Sequence, residues 1–205
     1  GCFEDKHAIR LNDWSSISEL EEFAKIVMPQ IEEKVFHSHL SVEFVHPYRN
    51  KIVEHEPDTS WLWHYDDCPK EFLKLFLHLN EVDVDNGCFQ YIRNENKQVP
   101  IIPSARFGPK LIGQKVYAKS RIPKHVIDLV EKNGGAPNSF VGPLGSYAVL
   151  TPNIMHRATI PKEGTTPRDI IVFFIRPCLK KSLNYIIGKS YSYKPERNVK
   201  EYLFD

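Results

Sequence analysis

The sequence predicts an all-β core with flanking helices, arranged as a double-stranded β-helix, the cupin-like jelly roll in which two sheets enclose a cavity. The first observation is that strand-like segments greatly outnumber helix-like ones. The strand candidates are residues 40–46, 59–66, 72–80, 88–92, 146–151 and 168–176. The second is the length of 205 residues, which suits one core of this kind. We therefore expect a single domain over residues 1–205.

An N-terminal helical segment is predicted at about residues 15–35. Two candidate capping boxes mark its start, Ser16 with Glu19 and Ser18 with Glu21. One helical face carries the apolar residues Leu20, Phe23, Ile26 and Val27. Because a stripe of this kind usually covers the helix's own core, we expect it to pack against the sheet and not against a partner.

The jelly-roll core is expected over about residues 40–177, with an insertion at about 100–145. The insertion contains a second helix candidate at residues 123–132, followed by Asn133 and two glycines. A long insertion in a compact domain is consistent with a lid over the pocket or with a surface excursion, and both interpretations stay open. The polar tail at 178–205 is placed outside the core.

Composition excludes several classes of partner. The chain has 27 basic and 26 acidic residues and a net charge of +1, so no global field attracts nucleic acid or a membrane surface. The four cysteines show no C-x-x-C spacing, which indicates neither a zinc knuckle nor a disulfide framework and favours a cytoplasmic setting. No apolar run approaches 18 residues. A signal-like segment is also missing, which carries little weight because the chain begins Gly1-Cys2 without methionine.

The pattern Trp63-His64-Tyr65-Asp66 is the first candidate site. In a strand, residues two apart project to the same side, so His64 and Asp66 would point into one cavity. A third ligand is offered by His156, 92 residues further on. Two imidazoles and one carboxylate form the facial triad of non-haem Fe(II) proteins, which leaves positions open for O2. The alternative is that these are ordinary surface or core residues, since nine histidines make one H-x-D match common.

Arg168 lies twelve residues after His156 and opens the apolar segment 169–175. If its side chain points inward, the guanidinium needs a buried anion, and its planar fork matches a carboxylate in bidentate geometry. A dicarboxylate cosubstrate would meet this need.

The strand candidate at 72–80 has leucine at its odd positions 73 to 79 and places Lys74 and His78 on the other face. If that face looks into the barrel, both side chains could bind a substrate or cosubstrate carboxylate, and His78 could compete as an iron ligand. If it faces solvent, they have no such role. Arg157 is expected to contact backbone or solvent, and Arg176, which precedes Pro177 at a strand end, is expected to be an exposed charge.

These features resemble, in order and spacing, the phytanoyl-CoA-hydroxylase-like branch of the Fe(II)- and 2-oxoglutarate-dependent oxygenases. The resemblance covers roughly residues 40–177 and rests on segments 63–66, 77–89 and 142–146, on His156-Arg157 and on Arg168. It implies that His64, Asp66 and His156 hold iron and that Arg168 binds the far carboxylate of 2-oxoglutarate. Family members often continue the Asn86-Gly87 segment into a Pro-Gly-Ser-His turn, whereas this chain does not.

The activity that the resemblance implies is hydroxylation of a small-molecule substrate with O2, with release of succinate and CO2. Asp66 favours hydroxylation over halogenation, because a small residue in its place would open a halide position. The alternatives are a cupin-like metalloenzyme that does not use 2-oxoglutarate and a non-catalytic jelly-roll binding module. Neither the substrate nor the oligomeric state can be predicted, although specificity is expected in residues 93–140 and before residue 60.

Overall fold

Two antiparallel sheets and two α-helices make up the computed structural model, which describes residues 2–54, 57–66, 68–69, 71–102, 121–181 and 183–187. The strands are β1 (Cys2–Glu4), β2 (Ala8–Leu11), β3 (His39–Asn50), β4 (Leu73–His78), β5 (Phe89–Arg93), β6 (Ala136–Phe140), β7 (Tyr147–Leu150), β8 (His156–Ala158) and β9 (Asp169–Cys178). The helices are α1 (Ser18–Ile31), continued by a π-helical turn at Glu32–Phe36, and α2 (Lys124–Lys132). A 3₁₀ turn spans Thr59–Trp61.

The large sheet has the strand order β1-β2-β3-β9-β4-β7, and the small sheet has the order β6-β5-β8. The strand β9 lies at the centre of the large sheet, between β3 and β4. It pairs with β3 over the whole length from His39 opposite Cys178 to Arg49 opposite Asp169. Both neighbours of β9 therefore come from much earlier in the chain.

The two faces of the large sheet are buried by different partners. On one face, α1 contributes the residues Leu20, Ala24, Val27 and Met28, which pack with Val42, Val45, Leu75 and Phe173 of the sheet. On the other face, Phe76 and Val172 pack with Phe89 of the small sheet. Both sheets contribute lining residues to a cavity of about 170 Å³. This mostly β core agrees with the predicted class, with two antiparallel sheets around a cavity.

The first helix differs in detail from the prediction. Its N-cap is Ile17, which makes no side-chain capping bond, so the two predicted capping boxes are wrong. The Ser16 hydroxyl instead donates to the Asp13 carbonyl, and that of Ser18 donates to the adjacent Glu19. Ile26 is 69% exposed and not on the packed face. The buried face repeats at positions 20, 24, 27, 28 and 31, and position 26 points away from it.

Five predicted strands are confirmed as β3, β4, β5, β7 and β9. The predicted strand at 59–66 is wrong, because the segment forms the 3₁₀ turn and then a bend in which His64 makes an isolated bridge. The strands β1, β2, β6 and β8 were not predicted. The second helix candidate is confirmed as α2.

The insertion and the tail are described in part. Residues 136–140 of the predicted insertion form β6, which pairs with β5, so this stretch is neither a lid nor a surface excursion. Residues 103–120 and the tail from 188 lie outside the described residues. The described start of the tail packs on the core, where the backbone N–H groups of Tyr185 and Ile186 donate to the Glu21 carboxylate. Among the described residues, no helix has the length and apolar character needed to cross a membrane.

Candidate metal centre

The backbones of His64 and His156 are joined directly. Each histidine donates its backbone N–H to the carbonyl oxygen of the other, at 2.9 Å in both directions. Their ring centroids lie 4.3 Å apart. The two side chains, 92 residues apart in sequence, therefore project together from one short antiparallel bridge.

Both rings are oriented by the same local hydrogen bond. Nδ1 of His64 lies 2.7 Å from the carbonyl oxygen of Leu62, and Nδ1 of His156 lies 2.8 Å from that of Ile154. Since a carbonyl oxygen only accepts, each Nδ1 carries the proton and each neutral ring keeps its lone pair on Nε2. This is the tautomer that supporting hydrogen bonds impose on metal-binding histidines.

Asp66 completes the group. Its backbone N–H donates to the Pro152 carbonyl oxygen at 3.0 Å, which fixes the loop after the bridge. Its Oδ2 lies 3.2 Å from Nε2 of His156, and the candidate ligand atoms of His64, Asp66 and His156 all lie within 4.8 Å of one another. Ligand atoms about 2.1 Å from one ion are separated by distances of this order. The residues present therefore fit a divalent transition metal with two nitrogen ligands and one oxygen ligand.

The electrostatics of the group suit the same ion. Burial lowers the pKa of His64 to about 3, so this ring is neutral at physiological pH. Burial alone would raise the pKa of the Asp66 carboxyl. The Lys74 ammonium is the largest of the influences that oppose burial, and that pKa is held well below its usual range. The carboxylate is therefore ionised, although only about a quarter of its side chain is exposed, toward the cavity.

Lys74 and His78 both lie on the inner face of β4. The ammonium of Lys74 is 2.8 Å from Oδ2 of Asp66 and 4.6 Å from the ring centroid of Phe174. Its ion-pair partner in the structure is thus a candidate metal ligand. His78 is fully buried against Phe140 and is absent from the candidate metal group. Burial and the nearby charge of Arg168 lower the pKa of His78 to about 4, against the opposite influence of the Gly142 backbone.

Arg168 lies just before β9 and is only 1% exposed. Its backbone is held on both sides, by a hydrogen bond to the Asn86 carbonyl and by one from the Asn50 N–H. The Nε and Nη1 groups of its side chain have no hydrogen-bond partner among the described residues. Burying a guanidinium without hydrogen-bond partners costs free energy, so we expect these donors to bind an anion. Arg168 lines the same cavity as the three candidate ligands.

Several supporting residues were not predicted. The Arg157 guanidinium lies 4.6 Å from the ring centroid of Trp63, and its Nε donates to the Gln90 side chain, so the expectation of backbone or solvent contacts was wrong. Asn153 exchanges two hydrogen bonds with the backbone of Cys68, just beyond Asp66. Nothing in the sequence pointed to Asn153, because its partner is 85 residues away. The expectation for Arg176 is confirmed, since this side chain is exposed at the end of β9.

Comparisons with known proteins give no family-model match and no match among curated proteins. Among solved structures, the chain is similar to the non-heme alpha ketoglutarate dependent epimerase SnoN from nogalamycin biosynthesis, with a TM-score of 0.54 and 12% identity over 86% of this chain and 66% of that one. A complex of SnoN with Fe3+, alpha ketoglutarate and nogalamycin RO aligns with a TM-score of 0.54 and 13% identity over 83% and 63%. EctD from S. alaskensis with bound Fe aligns with a TM-score of 0.53 and 12% identity over 89% and 61%.

The chain spans less than two thirds of the length of these neighbours. At such low identity the likeness concerns the fold, and it does not single out the phytanoyl-CoA-hydroxylase-like branch. The chain therefore shares its fold with enzymes that are described as iron-bound or alpha ketoglutarate dependent.

Proposed function

We propose that this protein is an Fe(II)- and 2-oxoglutarate-dependent dioxygenase that hydroxylates a small-molecule substrate and releases succinate and CO2. The observation that carries the proposal is the shared cavity. It holds a candidate group of two histidines and one aspartate together with a buried arginine whose Nε and Nη1 have no partner among the described residues. A metal site explains the first feature, and a bound dicarboxylate explains the second.

The chain's own residues have distinct parts in this proposal. His64, Asp66 and His156 would hold the iron on one side, so that its remaining positions face the cavity. When bound, iron and 2-oxoglutarate supply the redox chemistry that activates O2. The paired Nδ1 hydrogen bonds keep both imidazoles in the ligating tautomer, so little reorientation is needed when the metal enters.

Arg168 would bind the carboxylate at the far end of 2-oxoglutarate. A guanidinium offers two parallel N–H donors to a carboxylate, and in a buried position this pairing is strong. Among the described residues, Nε and Nη1 of Arg168 have no partner, so each of the two guanidinium edges has an available donor. Lys74 would keep its contact with Asp66 and orient the carboxylate, because its ammonium already bonds to Oδ2. His78 would then sit beside Arg168 as a neutral ring.

The alternative of a metalloenzyme that does not use 2-oxoglutarate gives Arg168 no anion. The alternative of a non-catalytic binding module gives no reason for two buried histidines held in the same tautomer. The first alternative therefore leaves the buried arginine without a role, and the second leaves the two histidines without one.

The test is anaerobic visible absorption of the Fe(II)-loaded protein during titration with 2-oxoglutarate. We expect a metal-to-ligand charge-transfer band in the parent and no iron uptake by His64→Ala. Arg168→Met should need about 10- to 100-fold more 2-oxoglutarate, since hydrogen bonds to charged groups contribute about 1.5–3 kcal/mol. Arg176→Met changes an exposed arginine on β9, the strand that Arg168 precedes, and this matched control should behave like the parent.

Each contrary result points to a different class. Stoichiometric iron without the band would identify a metalloenzyme that does not use 2-oxoglutarate. No iron uptake by the parent would identify a binding module. An equal requirement for 2-oxoglutarate in Arg168→Met and the parent would remove Arg168 from the site.

A further inference from the structure

The cavity contains one more cation than the proposed cosubstrate needs. Among the described residues, the charged groups that line it are the cations Arg10, Lys74 and Arg168 and the carboxylate of Asp66. Lys74 is paired with Asp66, and Arg168 is assigned to 2-oxoglutarate. Arg10 therefore has no assigned function, although it lines the same cavity.

Arg10 is held so that part of its guanidinium stays available. Its Nε donates to Oδ2 of Asp5 at 2.7 Å, and the guanidinium lies over the Tyr48 ring, 5.3 Å from the centroid. The Nη1 and Nη2 groups have no hydrogen-bond partner among the described residues, and the side chain is 29% exposed. The carboxylate holds one edge of this guanidinium and the aromatic ring supports its flat face. The remaining N–H donors can therefore bind an oxyanion in a defined orientation.

The register of the large sheet separates Arg10 from β4, whose Lys74 is paired with the candidate ligand Asp66. Arg10 is opposite Tyr48, which is opposite Ile170, which is opposite His78. With neighbouring strands about 4.8 Å apart, β2 lies about 10 Å from β9 and about 14 Å from β4. A dicarboxylate with one end on the metal and the other on Arg168 has no third charge for Arg10. An anion at Arg10 would then come from another molecule.

The charge count supports a second anion. Three lining cations and a divalent metal carry five positive charges, while Asp66 and bound 2-oxoglutarate carry three negative ones, which leaves two. Asp5, beside Arg10, offsets one of these. Burial and the charges of Arg10 and Lys74 also lower the pKa of His46, which lines the cavity near Arg10, to about 3. The net charge of the described lining groups thus remains positive after metal and cosubstrate are counted.

We propose that Arg10 binds a negatively charged oxyanion group of the substrate, a carboxylate or a phosphate, so that the substrate is an anionic small molecule. This inference rests on the proposed function, because the charge count includes the metal and 2-oxoglutarate. Tyr48 and Asp5 act as positioning residues that fix the guanidinium. The substrate's reacting carbon lies between the anion at Arg10 and the metal.

The test is anaerobic calorimetric titration of the Fe(II)- and 2-oxoglutarate-loaded protein with inorganic phosphate and, separately, with acetate. We expect saturable binding of at least one anion, weakened at least tenfold in Arg10→Met. The tighter of the two probes distinguishes a phosphate site from a carboxylate site. Arg49→Met removes an exposed arginine that is paired with Asp169 in the adjacent strand, and it should bind like the parent.

Asp5→Asn separates anion binding from a structural role of the Arg10–Asp5 pair. Asparagine keeps the Oδ1 acceptor for the backbone N–H groups of His7 and Ala8 but removes the charge that competes for Arg10. We expect this variant to weaken anion binding less than Arg10→Met does, because the guanidinium is retained and loses only the carboxylate that orients it. Equal weakening in Asp5→Asn and Arg10→Met would show that the pair only supports the fold, and would overturn the inference.

The inference is also overturned if neither anion binds the loaded parent, or if Arg10→Met binds as the parent does. Failure of the proposed function is seen earlier, as absent uptake of iron or 2-oxoglutarate. In that case the titrations are repeated on the unloaded protein in the Arg168→Met background. Binding that still depends on Arg10 would preserve the anion site, and its absence would reject it.

Discussion

The two faces of the large sheet differ in chemistry although they are formed by the same strands. Toward α1, β3, β4 and β9 present Val45, Leu75 and Phe173, all of which are fully buried. Toward the cavity, the adjacent positions in β3 and β4 present His46 and Lys74. Because side chains alternate along a strand, one backbone supports an apolar core and a polar site one residue apart. Substitutions at neighbouring positions should therefore affect different properties.

The largest expected effect is loss of metal binding on the cavity side. His156→Ala removes one of three candidate ligands, and we expect Fe(II) affinity to fall by more than about 100-fold, beyond the range that follows loss of a supporting hydrogen bond alone. Anaerobic iron titration measures the affinity. His125→Ala, an exposed histidine on α2, is the control. Retention of parental affinity in His156→Ala would place the metal elsewhere.

Leu75→Ala tests the opposite face. Removing this fully buried side chain should lower the free energy of unfolding by about 2–5 kcal/mol, because it leaves a cavity under α1. Urea unfolding measures the loss, and the folded protein should still bind Fe(II) as the parent does. Ile26→Ala, at the exposed side of α1, should change stability by less than about 0.5 kcal/mol. Impaired iron affinity in folded Leu75→Ala would show that the two faces are coupled.

Lys74→Met tests the cavity face at the position next to Leu75, which lies on the opposite face of the same strand. The Asp66 carboxylate would lose its counter-charge, and we expect the metal-free protein to lose about 2–3 kcal/mol, less than for a fully buried pair because Asp66 is partly exposed. A divalent metal replaces that charge, so Mn(II) should stabilise this variant more than the parent in thermal unfolding. Lys124→Met, in an exposed ion pair, is the control. Equal Mn(II) stabilisation in variant and parent would contradict the assignment.

The smallest expected effect is a pH dependence that comes from the cavity face. The pKa of His46 is about 3 in the folded protein and about 6.5 when unfolded, so the unfolded state binds the extra proton as pH falls below 6.5. Above that pH, His46 does not lower the free energy of unfolding. By pH 5, protonation of His46 in the unfolded state alone should lower the free energy of unfolding by at most about 2 kcal/mol. Urea unfolding at pH 7 and 5 should show a smaller difference in His46→Phe. An identical difference in variant and parent would refute this prediction.

The sequence identified three side chains that lie together in the structure, His64, Asp66 and His156. The strand that it predicted for the first two, however, is not what brings them together. The expected strand over 59–66 does not form, and His64 and Asp66 are instead positioned by backbone bonds to His156 and Pro152. Those bonds join segments about 90 residues apart, which no local pattern encodes. The alternation in 72–80 did predict β4 and the shared face of Lys74 and His78. Although β4 is buried on both sides, apolar leucines lie on one face and polar side chains are found on the other.

The unpredicted strands are those that depend most on their partners. The strand β6 includes Pro137 and Asn138, which are poor strand formers, and it is extended because it pairs with β5. The three-residue strands β1 and β8 are too short for a periodic signal. Arg10 was not predicted as a cavity residue, because the pairing of β2 with β3 places it there and no local pattern indicates that pairing. Local periodicity therefore predicted the central strands β3, β4, β5 and β9 and the edge strand β7, and it missed β1, β2, β6 and β8.

The central position of β9 also determines how the chain can fold. The strand pairs Arg49 with Asp169 across 120 residues, and it is the partner of both β3 and β4. Closing so long a loop is slow, and the native central pairings cannot form until residues 169–178 have been synthesised. Before then, β3 and β4 present open edges that can join other chains. We therefore expect a high folding barrier and a tendency of nascent or C-terminally truncated chains to aggregate.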